Sequence, residues 1–218
     1  MNEQDRNERM IREQIASRGV GDARVLSAMR KVTRGMFIAK SLQDAAYDDT
    51  PLPIGRDQTI SQPYIVGYMT SLLRLRGDER VLEIGAGCGY QTAILAQLAR
   101  EVCSAELEPS LAALARANLA LLGVANVELR AGDALTVFRD RAPFDAILSA
   151  AAPEVIPEEL VEQLAEGGRM IIPVGKHEKQ SLWLIERQGG VLTRRQLDSV
   201  RFVPLRSNLL HPGSGSTG

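Results

Sequence analysis

The clearest indication of the fold class is the run Val81-Leu82-Glu83-Ile84-Gly85-Ala86-Gly87-Cys88-Gly89-Tyr90. It opens with a short apolar run, which is typical of a strand buried on both faces. Glycines then occupy every second position from 85 to 89. Glycine adopts positive φ without strain and lets a ligand approach the backbone closely. The stretch therefore predicts a buried strand, a sharp turn that can receive a ligand, and a helix that begins near Tyr90.

The residues after this turn alternate between helical and extended patterns. Helical spacing predicts helices over 90–99, 110–122 and 157–166, and apolar runs predict strands at 102–106, 127–130, 144–149 and 169–174. Two further strands within 181–205 flank the turn at Gly189-Gly190. This alternation predicts an α/β fold with a doubly wound, mostly parallel, Rossmann-like sheet that ends in a C-terminal β hairpin.

The chain before the glycine loop has a different character. Helical spacing is expected over 3–18, and Asp22 is placed to cap a second helix. Residues 47–62 are expected to form a loop, because prolines and glycine interrupt them, and a helix is expected over 61–73. The predicted organisation is an N-terminal helical and loop segment (1–76), an α/β domain with its hairpin (77–206) and a flexible tail (207–218).

Composition narrows the class of protein. The 218 residues carry a formal net charge of −1, which gives no basic footprint for nucleic acid. No run approaches the roughly 20 apolar residues of a membrane span, and the charged N-terminus lacks the apolar core of a signal peptide. Cys88 and Cys103 are the two cysteines, and neither belongs to a metal-binding cluster. We therefore expect a cytoplasmic protein without a metal, and without nucleic acid or membrane partners.

The glycine loop also indicates the kind of ligand. Its spacing is G-x-G-x-G, whereas dinucleotide enzymes use G-x-G-x-x-G to seat a pyrophosphate. Glu83 precedes the loop, which suits a ligand with an ammonium group and no pyrophosphate, such as S-adenosyl-L-methionine. A plain tight turn between strand and helix is the alternative. An NAD-dependent dehydrogenase is disfavoured by the spacing.

Two more acidic residues follow the next predicted strands. Glu106 ends the second strand, where a carboxylate can accept both ribose hydroxyls, and Asp133 follows the third, where it can accept from an adenine amino group. Their alternatives are a carboxylate at a helix start and a turn residue. Ligands of open α/β sheets bind at the carboxyl ends of the strands, so the three acidic groups together favour a ligand site.

Several motifs resemble the signature of protein-L-isoaspartate O-methyltransferases. They are Gln14-Ile15-x-x-Arg18-Gly19, Pro51-Leu52-Pro53-Ile54-Gly55, Asp57-Gln58-Thr59-Ile60-Ser61-Gln62-Pro63-Tyr64, the glycine loop, Ala142-Pro143-Phe144-Asp145-Ala146-Ile147, Gly167-Gly168-Arg169, Ile172-Pro173-Val174-Gly175 and Val200-Arg201-Phe202-Val203-Pro204-Leu205. The resemblance covers about residues 10 to 206. Thr33-Arg34-Gly35 departs from it, because the family usually shows Pro-Arg-Glu there.

The resemblance implies an S-adenosylmethionine-dependent methyltransferase fold and a repair activity. A methyl group would pass to the free α-carboxylate of L-isoaspartyl residues in damaged proteins or peptides, leaving S-adenosyl-L-homocysteine. The residues implied for the cofactor are Glu83, Gly85, Gly87, Gly89, Glu106, Gly132 and Asp133. Those implied for the substrate are Thr59, Ile60, Ser61, Phe202, Val203, Pro204 and Leu205.

Ser61 is the residue expected to act on the reacting carboxylate. A carboxylate with a pKa near 4 is already ionised at pH 7, so no general base is required. Ser61 is expected at a helix N-terminus, where the dipole and its own hydroxyl favour an anion. The alternative is an N-cap without a catalytic role. A methyltransferase for another carboxylate or small molecule, and a binding protein that only retains the cofactor, remain as alternative functions.

Overall fold

The N-terminal segment is helical, as predicted. In the computed structural model, which describes residues 2–176, 179–207 and 209–210, helix α1 (Glu3–Met10) continues through a π-helical turn and a 3₁₀ turn to Arg18. Gly19 ends it with a φ of +94°. Helix α2 (Ala23–Lys31) begins at the predicted cap, since Asp22 accepts a hydrogen bond from the Arg24 N–H at 2.9 Å.

The expectation of a loop throughout 47–62 is wrong. Strands β1 (Leu52–Gly55) and β2 (Gln58–Ile60) form an antiparallel hairpin. Arg56 and Asp57 connect them, and both have positive φ, the conformation of the tight turns that match strand twist. Pro53 is tolerated because a two-stranded hairpin leaves edges that need no N–H donor. The hairpin leads directly into helix α3 (Pro63–Leu73).

The rest of the chain forms the predicted sheet, with seven strands in the order β5-β4-β3-β6-β7-β8-β9. The strands are β3 (Arg80–Ile84), β4 (Glu101–Glu106), β5 (Val127–Ala131), β6 (Phe144–Ser149), β7 (Leu164–Lys176), β8 (Lys179–Gln188) and β9 (Val191–Val200). The connecting helices are α4 (Tyr90–Ala96), α5 (Pro109–Leu121) and α6 (Glu158–Glu162). Strands β5, β4, β3, β6 and β7 run parallel, and β8 and β9 complete the sheet antiparallel.

Helices cover both faces of the sheet. Successive strand side chains point to opposite faces, so the neighbours Val81 and Leu82 belong to different hydrophobic clusters. One cluster joins Val81 to α2, α3 and α4, and the other joins Leu82 to α6 and to Phe138. This two-sided burial confirms the predicted doubly wound, mostly parallel α/β fold.

Some residues lie outside the part of the chain that the structure describes. His177 and His211, the two histidines, lie outside the described residues, and so does most of the tail predicted to be flexible. In the described part of the chain, no helix combines the length and the apolar character needed to cross a membrane.

Candidate active site

A cavity of about 680 Å³ lies at the carboxyl ends of the parallel strands. Its lining includes the glycine loop after β3, Glu106 at the end of β4 and Gly132 after β5. The β1–β2 hairpin and the segment after β9 also line it. Most of the residues expected from the sequence contribute to its wall, namely Thr59, Ile60, Ser61, Gly85, Gly87, Glu106, Gly132, Phe202, Val203, Pro204 and Leu205.

The glycine loop is fixed against the end of strand β4. The N–H groups of Gly85 and Ala86 both donate to the carbonyl oxygen of Ala105, at 2.9 and 3.2 Å. Gly85 and Gly87 have φ values of +87° and +56°, so the turn needs residues without a β-carbon. A β-carbon at Gly87 would lie 3.1 Å from the Ile54 side chain. At Gly85 and Gly87 the loop thus presents only backbone to the cavity.

Glu106 links this loop to the cavity. Its Oε2 accepts from the Gly87 N–H at 2.8 Å, and its Oε1 accepts from the Glu108 N–H at 2.9 Å. The residue is only 7% exposed, and it lines the cavity. Each carboxylate oxygen can accept a second hydrogen bond. Glu106 can therefore receive two hydroxyl donors from a ligand, which is the capacity that a ribose needs.

Glu83 does not lie in the cavity wall, contrary to the direct contact expected for it. The alternation along β3 turns its side chain away from the face of Leu82 and Ile84. Its Oε2 accepts from the hydroxyls of Thr92 at 2.6 Å and Ser104 at 2.5 Å. The residue is 0% exposed, and burial raises its pKa to about 7 despite these hydrogen bonds, which act to lower it. The structure places Glu83 behind the loop, where it joins β3, β4 and α4.

Two other residues expected at the cofactor are also outside the wall. Gly89 is the residue before α4, and a β-carbon there would lie 3.3 Å from the backbone of Ala115, so it permits close packing of α4 on α5. Asp133 accepts from the Leu135 N–H at 3.0 Å and from the Ser207 hydroxyl at 2.7 Å. Asp133 therefore ties the segment after β9 to the loop after β5.

Ser61 faces the cavity, but it is not the N-cap of helix α3. The helix begins at Pro63, and Gln62 is its N-cap residue. Asp49 supplies the cap from a distance, since its carboxylate accepts from the Tyr64 N–H at 3.2 Å and pairs with Arg18 at 2.6 Å. The N-cap interpretation of Ser61 is thus wrong. The carboxylate of Asp49 already occupies the N-terminus of helix α3. Among the described residues, no group is hydrogen-bonded to the Ser61 hydroxyl.

Arg34 holds the backbone of Ser61 from beneath. Its guanidinium is fully buried and donates to the carbonyl oxygens of Ala46 at 2.6 Å, Thr50 at 2.9 Å and Ser61 at 3.2 Å. Burial lowers the pKa of Arg34, because the charged form loses its water. Sequence reasoning missed this role, because the three acceptors are backbone groups that carry no residue-specific signal.

Gly35 stands where the family motif usually has glutamate, and its surroundings leave no space for a side chain. Glu3 accepts from the Tyr47 hydroxyl at 2.8 Å, and that hydroxyl accepts from the Gly35 N–H at 3.3 Å. A β-carbon at Gly35 would lie 2.8 Å from the same hydroxyl. Helix α1 therefore places a carboxylate beside a position that has no room for a side chain.

The thiol in the loop is not activated. Cys88 lines the cavity but is buried, and burial raises its pKa to about 11. Cys103 is also buried, near the carboxylates of Glu101 and Glu128. Both carboxylates pair with Arg141, at 3.0 Å in the case of Glu128. This second cluster therefore forms an ion-pair network near the amino-terminal ends of β4 and β5, away from the cavity.

The comparisons with known proteins agree with this geometry. A family model for protein-L-isoaspartate(D-aspartate) O-methyltransferase matches residues 5–210. The chain is 51% identical over 201 residues to the protein-L-isoaspartate O-methyltransferase of Methanoregula boonei. This match covers 92% of this chain and 93% of that protein. It is 49% identical over 205 residues to protein-L-isoaspartate O-methyltransferase 1 of Syntrophobacter fumaroxidans, with 94% and 96% covered. The chain belongs to the protein-L-isoaspartate(D-aspartate) O-methyltransferase family.

A solved structure extends the likeness to three dimensions. A Plasmodium falciparum structure assigned to the same enzyme class, in complex with S-adenosyl-L-homocysteine, superposes with a TM-score of 0.80 at 27% identity. The match covers 94% of this chain and 99% of that one. The family predicted from the sequence motifs is confirmed. The chain is an enzyme with protein-L-isoaspartate O-methyltransferase activity, the methylation that begins isoaspartyl repair.

Proposed function

We propose that this cavity holds the methyl donor and the damaged peptide together. The glycine loop, Glu106 and Gly132 would bind S-adenosyl-L-methionine. The hairpin residues Thr59, Ile60 and Ser61 and the segment Phe202–Leu205 would bind the isoaspartyl peptide. The observation that carries this proposal is that both sets of residues line the same cavity.

The donor set fits this ligand. Glu106 has two acceptor positions left after its backbone hydrogen bonds, which suits a diol. The Gly85 and Gly87 backbone can approach an amino acid group without side-chain interference. When bound, S-adenosyl-L-methionine supplies a methyl group on a positively charged sulfur, and its transfer to the carboxylate oxygen leaves S-adenosyl-L-homocysteine and a methyl ester.

The protein's contribution is to position the carboxylate and to exclude water. Among the described residues, the cavity wall contains no histidine or lysine that could act as a base. None is needed, because the substrate carboxylate is ionised at neutral pH. The Ser61 hydroxyl can donate to this carboxylate, while Arg34 fixes the Ser61 backbone. Alignment of this kind can supply a large part of a rate enhancement.

Selection of isoaspartate would follow from the extra backbone methylene. In an isoaspartyl residue the chain continues through the side-chain carboxyl, so the free carboxylate is the α-carboxylate. A peptide held against Phe202–Leu205 would then point this carboxylate at Ser61. An ordinary aspartyl residue held at the same place would present its carboxylate at a different distance from the backbone.

We place this reaction in the cytoplasm, since both cysteines are buried free thiols.

The test is to measure whether S-adenosyl-L-homocysteine and an isoaspartyl peptide bind to the enzyme at the same time. Calorimetry should detect S-adenosyl-L-homocysteine binding to the enzyme alone, and an isoaspartyl peptide should then bind to that complex. The aspartyl twin of the peptide serves as the control and should bind far more weakly. Competition between S-adenosyl-L-homocysteine and the isoaspartyl peptide would contradict a cavity that holds both.

A further inference from the structure

The residues after β9 line the cavity without belonging to the sheet. Strand β9 ends at Val200, whose register partner in β8 is Gln180. Residues 201–205, called here the wall segment, then cross the cavity. This segment has left the backbone ladder that fixes β9, so other groups must hold it.

The Gln180 side chain continues the ladder for one more residue. Its Nε2 donates to the Phe202 carbonyl oxygen at 3.1 Å, and its Oε1 accepts from the Phe202 N–H at 2.7 Å. The N–H and the carbonyl oxygen of Phe202 are therefore both paired with the side-chain amide of Gln180. Only a side chain with a donor and an acceptor on the same planar group can do this.

The wall segment is also fixed further along. The Ala152 N–H donates to the Val203 carbonyl oxygen, and the Leu205 N–H donates to the Ala152 carbonyl oxygen, both at 2.8 Å. Those bonds are made by backbone alone. The attachment at Phe202 depends on a side chain that is 4% exposed, so water cannot easily replace it.

We propose that Gln180 is a positioning residue of the methyl-transfer reaction. Its amide sets the path of the wall segment from Phe202 onward, and so the surface that receives the peptide backbone. It acts through Phe202 and does not line the cavity. This inference rests on the proposed role of Phe202–Leu205 in peptide binding.

Gln180→Met is the first test, because methionine has a similar length and neither donor nor acceptor. Gln196→Met is its matched control, since Gln196 lies on the adjacent strand and hydrogen-bonds the Ser181 hydroxyl at 2.8 Å on the surface. We expect Gln180→Met to raise the KM for an isoaspartyl peptide by roughly five- to tenfold, the effect of losing a buried hydrogen bond. The KM for S-adenosyl-L-methionine should match that of Gln196→Met.

Gln180→Glu supplies a readout that general damage to the fold would not move. A protonated glutamic acid has one donor and one acceptor, like the amide, whereas a carboxylate cannot donate to the Phe202 carbonyl. Burial raises the pKa of such a carboxyl group. The ratio of peptide KM between Gln180→Glu and wild type should therefore approach one as pH falls from about 8 to about 5.5.

The outcomes distinguish a failure of the role proposed for Gln180 from a failure of the proposed function. If the isoaspartyl peptide competes with S-adenosyl-L-homocysteine for wild type, the proposed function is wrong. If wild type is active but Gln180→Met behaves as Gln196→Met, or the Gln180→Glu ratio does not change with pH, Gln180 is not a positioning residue. Should Gln180→Met not fold, the pH dependence of Gln180→Glu alone decides.

Discussion

The guanidinium of Arg34 donates a hydrogen bond to the carbonyl oxygen of Ser61 at 3.2 Å. Arg34 is fully buried, and its other acceptors belong to Ala46 and Thr50. One side chain thus joins three parts of the N-terminal segment directly beneath the cavity. This contact holds the backbone of Ser61, which lines the cavity.

Arg34→Lys should impair both stability and peptide turnover. A single ammonium cannot span three carbonyl oxygens, and each buried acceptor left without a donor costs about 1–3 kcal/mol. We expect the free energy of unfolding to fall by roughly 2–4 kcal/mol, with a lower kcat/KM for the isoaspartyl peptide. Denaturant unfolding and steady-state kinetics measure these. Arg30→Lys, at an exposed pair with Glu8, is the control and should change neither; equal behaviour of the two variants would contradict the role given to Arg34.

Ser61→Ala should slow methyl transfer without destabilising the fold. The hydroxyl is not a helix cap, so the melting temperature should change little. Loss of a hydrogen bond to a charged group corresponds to about 1.5–3 kcal/mol, or roughly 10- to 100-fold in kcat/KM. Ser71→Ala, which removes a hydroxyl bonded to the Tyr68 carbonyl, is the control. Full activity of Ser61→Ala would leave Ser61 as a cavity residue without a catalytic role.

Glu106→Gln should weaken binding of S-adenosyl-L-homocysteine. The amide has one acceptor atom, so it cannot accept from both Gly87 and Glu108 and still receive two ligand hydroxyls. We expect affinity to fall by roughly 10- to 100-fold, measured by calorimetry. Glu108→Gln is the control, because that carboxylate accepts from the Ser110 hydroxyl at the surface and is not among the described residues that line the cavity. Unchanged affinity would remove Glu106 from the binding site.

Glu83→Gln should make stability less dependent on pH. Burial raises the pKa of Glu83 to about 7, above the unfolded value of roughly 4.3. The folded chain therefore prefers the protonated form, and this preference is fully present below about pH 4 and is lost as pH rises through 7. Wild type should lose up to a few kcal/mol relative to Glu83→Gln between about pH 5 and pH 8. Denaturant unfolding across that range is the measurement, and parallel curves would show that Glu83 does not titrate there.

Local patterns in the sequence were sufficient to predict the sheet, the glycine loop and the position of Glu106. Each depends on residues close together along the chain, such as the apolar run before Gly85. The sequence does not predict the hairpin because Pro53 interrupts the strand pattern, although Arg56 and Asp57, which both have positive φ, form a tight turn. Glu83 was misplaced, although the alternation along β3 already placed it on the face of Val81 and not of Leu82.

The remaining errors and omissions come from contacts that are distant in sequence. Asp49 caps helix α3 from 15 residues away, so Ser61 looked like the cap. Gln180 reaches the Phe202 backbone across 22 residues. A backbone group gives no residue-specific signal, so partners of this kind become visible only when the fold brings the two segments together.

The most direct test of the account compares two peptides that differ only in one linkage. Purified enzyme is incubated with methyl-labelled S-adenosyl-L-methionine and with an isoaspartyl peptide or its aspartyl twin, and kcat/KM is measured for each. We expect rapid formation of a base-labile methyl ester on the isoaspartyl peptide and little on its twin. Equal labelling of the two peptides would contradict it and would indicate a general carboxyl methyltransferase.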